Sequence, residues 1–106
     1  MKIADYIYSI LKSNPTIILS WGFDTPAALQ NNEGLLFKVN GFKHQGWVKV
    51  VYNEGKDLFI VFLLNPQMQD IERIDDVYFD QLVNVIDEAV ERTNDYNDRV
   101  RNIYSN

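Results

Sequence analysis

The chain has 106 residues, 46% hydrophobic and 13% aromatic, a composition too apolar for a disordered segment and long enough for one domain spanning residues 1–106. It has no cysteine, which excludes a disulfide framework and a thiolate metal site, and fits a reducing compartment. The net charge of −5 argues against a general nucleic-acid binder, which needs a positive surface to displace counterions.

The N-terminal "MKIADYIYSILKSN" has an early lysine, but Asp5 and Lys12 interrupt its apolar run and no small-residue cleavage site follows. Residues 2–13 read instead as an amphipathic helix, with Ile3, Ile7, Ile10 and Leu11 on one face. Asn14-Pro15 ends it. The next segment, "TIILSWGF" (16–23), supports two readings. Its β-branched start points to a strand, the expectation taken here. Asn14 as cap, Pro15 as first helical residue and Gly22 as stop would suit a short helix. Trp21 is assigned to the core, and "DTPAALQNNEG" reads as a loop.

Three strands follow, at about 35–42, 46–53 and 57–64. "HQG" joins the first two, and "NEGK", whose Gly55 accepts positive φ, joins the second and third. Links this short make antiparallel neighbours. The last strand, "LFIVFLL", is apolar on both faces, so both require a cover; it is far short of the ~20 residues of a membrane helix. After Asn65-Pro66 an acidic connector, "QMQDIERIDD", leads to a long helix over about 77–93 with Phe79, Leu82, Ile86, Ala89 or Val90, and Thr93 in one stripe. Asp75 or Asp76 would cap its start. Tyr96, Val100 and Ile103 suggest a further short helix in 94–106. The expected fold is α+β: an antiparallel meander of three to four strands with an N-terminal helix and a long C-terminal helix, α-β-β-β-α or α-β-β-β-β-α.

Catalytic and metal-binding patterns are sparse. His44, the single histidine, stands between Lys43 and Gln45 and reads as an exposed turn residue without an orienting carboxylate or a nucleophile nearby in sequence. Glu54-Gly55-Lys56 matches the E-x-K pair of some metal-dependent nucleases, but at a hairpin tip the two side chains splay apart. Asp70, Glu72, Asp75, Asp76 and Asp80 lack the spacing and glycine of a calcium loop and read as caps and a solvated face. The five glycines are scattered, so there is no phosphate-cradling loop. A non-enzymatic protein without cofactor or metal is therefore expected.

One constellation points to binding. With a regular register, Trp47, Lys49 and Val51 share a sheet face with Phe59, Val61 and Leu63, joined by Lys38 and Phe42 from the neighbouring strand. That surface suits a second layer of core, or a protein–protein interface with another protein or with a second copy as a homodimer. The rival class is a nucleic-acid module stacking bases on the aromatics beside lysines. Helix–strands–helix order also resembles double-stranded-RNA-binding domains. Those domains open their second helix with a lysine cluster, where this chain has "ERIDDVYFDQ", so their function is not carried over. The run "GLLFKVNGFKHQGWVKVVYNEGKDLFIVFLL" with "VYFDQLVNVIDEAVE" resembles small uncharacterised proteins of Bacteroidales-type bacteria, often near mobile elements. The resemblance implies a compact bacterial cytoplasmic domain and brings no catalytic residues.

Overall fold

The computed structural model describes residues 2–92. Helix α1 (Ile3–Lys12) follows the expected stripe, burying Ile3, Ala4, Ile7 and Leu11. The Ile3 amide donates to Asn32 Oδ1 at 2.7 Å, tying the helix start to a distant link between strands.

The strand expected at 16–23 is a helix, α2 (Pro15–Ser20). Proline at the first helical position presets φ and lacks only an amide that would have had no intrahelical partner. Those end effects outweigh the β-branched Thr16, Ile17 and Ile18. Gly22 at φ +65° stops the turn, a backbone conformation costly to a residue with Cβ. Trp21 is fully buried, as expected, with its ring stacked on Phe37 at 6.4 Å between centroids. Its Nε1–H donates to Asp87 Oδ1 at 2.9 Å. Burying a large side chain of this kind contributes roughly 1.5–3 kcal/mol, and the carboxylate removes the cost of an unpaired indole N–H.

The sheet has five strands rather than three or four. They are β1 (Asp24–Ala28), β2 (Gly34–Asn40), β3 (Gln45–Asn53), β4 (Leu58–Leu64) and β5 (Asp70–Val77), antiparallel and in chain order. The two extra strands were expected as loop and acidic connector. Both are edges and mostly exposed, so they lack the apolar alternation of β2–β4 and hold their place through ladder pairing. The expected helix at 77–93 is shorter: a 3-10 turn (Phe79–Gln81) leads into α3 (Leu82–Val90). Asp75 and Asp76 lie in β5 instead of capping it, and Phe79 is exposed while Leu82, Val83, Ile86 and Val90 are buried. The helix expected in 94–106 and Thr93 lie outside the described residues.

The core draws on α1, α2 and α3 and on one face of the sheet. Leu35, Phe37, Val39, Val48, Val50, Phe59, Val61 and Leu63 pack with Ile7, Leu11, Ile18, Leu82, Ile86 and Val90. Among the described residues no helix is long and apolar enough to cross a membrane.

Candidate interaction face

Register decides which side chains meet on the second face. Antiparallel β3 and β4 pair Trp47 with Leu64, Lys49 with Phe62 and Val51 with Ile60. Phe59, Val61 and Leu63, expected beside Trp47, therefore point the other way and are at most 3% exposed in the core. The hairpin pairs Asn53 with Leu58, which sets odd residues of β3 beside even residues of β4. Because side chains alternate with a period of two, that offset exchanges the two faces of β4.

Three rows cross the face away from the helices. The first runs Asp24, Lys38, Trp47, Leu64, Asp70. The second runs Ala27, Leu36, Lys49, Phe62, Arg73, and the third Gly34, Val51, Ile60. Leu36, Trp47, Val51, Ile60 and Phe62 are each half-buried, and none belongs to the core cluster or to the residues packed against it. Lys38, Trp47, Lys49 and Val51 thus share this face. Phe42 does not, because β2 ends at Asn40. It is exposed in the β2–β3 turn, where its amide donates to Glu91 Oε2 at 2.7 Å.

Charges frame the apolar centre in close pairs. Lys49 Nζ lies 4.4 Å and Arg73 Cζ 5.4 Å from the centroid of the Phe62 ring. The Phe62 quadrupole attracts both cations. Asp70 Oδ1 is 4.0 Å from Lys49 Nζ, and Arg73 Nε donates to Asp75 Oδ1 at 2.9 Å. Leu36, Ile60, Phe62, Asp70 and Arg73 were missed in the sequence. The Phe62-flanking arginine sits in a segment expected as connector, and Ile60 and Phe62 belong to the alternating set of β4 that only the hairpin offset places beside Trp47.

His44 is buried, not exposed, at 6%. Its Nε2 lies 3.2 Å from the Trp47 carbonyl oxygen, an acceptor, so Nε2 carries the proton. Around it the turn caps the C-terminus of α3. The Lys43 and His44 amides donate to Val90 O at 2.8 and 3.2 Å, and Lys43 Nζ donates to Glu88 O at 2.5 Å. A cation and free amides at a helix C-terminus satisfy its unpaired carbonyls and oppose its dipole. The local sequence held no sign of α3 landing there.

Glu54 and Lys56 sit at the β3–β4 tip, where Lys56 Nζ is 3.7 Å from Asp76 Oδ1. A cleft of about 550 Å³ is lined by Ile3, Asn31, Asn32, Glu33, Tyr52 and Glu54. Among the described residues no three His, Asp or Glu side chains are grouped to hold a metal ion. No family model, curated protein or solved structure matches the chain.

Proposed function

We propose that this chain is a non-enzymatic protein-binding module whose working surface is the sheet face opposite the helices. The observation that carries the reading is the set Leu36, Trp47, Val51, Ile60 and Phe62, contiguous across three strands and outside the core. Contiguous apolar surface with aromatics at its centre and an arginine at its rim has the anatomy of an interface. Association would remove from water the apolar area that folding leaves half-covered.

Base stacking is the weaker use of the same surface. The Phe62 ring already has Lys49 and Arg73 within 6 Å of its centroid, so a base would have to displace them. Asp70 and Asp75 lie beside those cations and oppose a phosphate chain.

A photoreactive amino acid placed at Ile60 tests the reading in cells. It should join the chain to a polypeptide, whereas the same group at Leu19, 76% exposed on α2, should not. Equal adducts from both positions, or none from Ile60, would overturn it. An oligonucleotide titration at low salt checks the rival, whose phosphate contacts are strongest there.

A further inference from the structure

Resting on the sheet-face reading, we infer that the occupant of this face is a second copy of this chain, related by a two-fold axis parallel to the strands between β3 and β4. The argument is self-complementarity. Such an axis lays β3 over the partner's β4, and β2 over the partner's β5, two sheets ~10 Å apart as in a sandwich.

Each row then lies over its own counterpart. In the first, which runs Lys38, Trp47, Leu64, Asp70, the cation of β2 meets the partner's Asp70. In the second, Lys49 faces the partner's Phe62, extending across the interface the contact that Lys49 makes with Phe62 within one chain. In the third, Val51 meets the partner's Ile60. Every contact occurs twice, as an isologous interface requires. In the first row the charges stand at opposite lateral ends, Lys38 on β2 and Asp70 on β5, so there the axis brings unlike charges together. An axis perpendicular to the strands in the same plane would instead lay β2 over the partner's β2 and lose this pairing.

The edges of the sheet are poor alternatives. β1 carries Pro26, Thr25 at φ +52° and a break in its register with β2. β5 carries Asp70, Glu72, Arg73, Asp75 and Asp76, the last at φ +56°, with two register shifts against β4. Proline, bulges and charge are the features by which edge strands resist further pairing. Association through the face leaves both edges as they are.

Sedimentation velocity of the full chain, with concentration raised to ~1 mM, reads the association directly. Lys38→Asp and Asp70→Lys change exposed side chains, and circular dichroism verifies that each variant folds. Each alone confronts like charges at both copies of the contact and should dimerise at least ~10-fold more weakly than the unaltered chain. In an equimolar mixture, one Lys38→Asp chain paired with one Asp70→Lys chain again sets unlike charges against each other at both copies of the contact, and the dimer should return.

A monomer at every concentration, or variants that dimerise like the parent, would overturn the second-copy assignment; a mixture without rescue would overturn the two-fold arrangement. Quenching of Trp47 in a Trp21→Phe background then separates this failure from failure of the underlying reading. A monomer with Trp47 open to a neutral quencher keeps the face available to a different protein, whereas a monomer with Trp47 shielded removes the face altogether.

Discussion

Tyr52 shows how a single side chain can carry a pH dependence into the fold. It ends the core face of β3, with its ring 5.3 Å from Phe59 and 6.4 Å from Tyr6, and its hydroxyl donates to Asp57 Oδ1 across the hairpin tip. That hydrogen bond to a carboxylate, followed by burial and the nearby charges of Asp57, Tyr6 and Glu54, pushes the Tyr52 pKa from 10.0 up to about 12. The neutral phenol is favoured in the folded chain. Its contribution is therefore fully present below the unfolded value of 10.0 and is lost as pH rises toward about 12. Asp57→Asn should return the Tyr52 titration toward its ordinary value and flatten the alkaline fall in stability over that interval. Phenolate absorbance and urea midpoints measured across the same pH range check both effects. An unchanged titration would show that Asp57 is not the cause.

Among the elements, the junction of the β2–β3 turn with α3 depends on the absence of a side chain. A Cβ on Gly41 would lie 2.4 Å from both Val90 Cγ1 and Val90 O, so the turn could not approach the helix end as it does. Gly41→Ala should cost about 1–3 kcal/mol through overpacking and loosen the Lys43 and His44 amides from Val90 O. Denaturation midpoints and amide exchange at those two residues test this, and an unaltered midpoint would refute it. The junction also marks where legibility ended. Strands β2–β4 were readable because alternation, hairpin links and apolar content agreed. Their faces were readable strand by strand, with Val48 and Val50 opposed to Trp47, Lys49 and Val51. How the faces of β3 and β4 join was not, because one residue of hairpin offset reverses it. β1 and β5 were hidden because edge strands keep charge and proline where inner strands keep valine. His44 was misjudged because its burial comes from α3, nearly half the chain away in sequence.

On the scale of the whole molecule, the sheet is asked to present one face to a core and another to a partner, and β4 carries both. Phe59 and Phe62 stand three residues apart on that strand, yet Phe59 is 1% exposed and ringed by Tyr6 and Tyr52, while Phe62 lies outside the core cluster between two cations. Their truncations should therefore separate stability from binding. Phe59→Ala removes a closely packed ring and should destabilise the chain by about 3–5 kcal/mol. Phe62→Ala gives up two cation–ring contacts on the face away from α1, α2 and α3 and should cost no more than about 1 kcal/mol. The same change deletes the centre of the proposed interface and should weaken association far more than Phe59→Ala weakens it per folded molecule. Urea unfolding at a concentration low enough to keep the chain monomeric, paired with sedimentation at high concentration, resolves the two quantities. Equal losses of stability from both variants would mean that Phe62 is core, and the division of the sheet into a folding face and a binding face would fail with it.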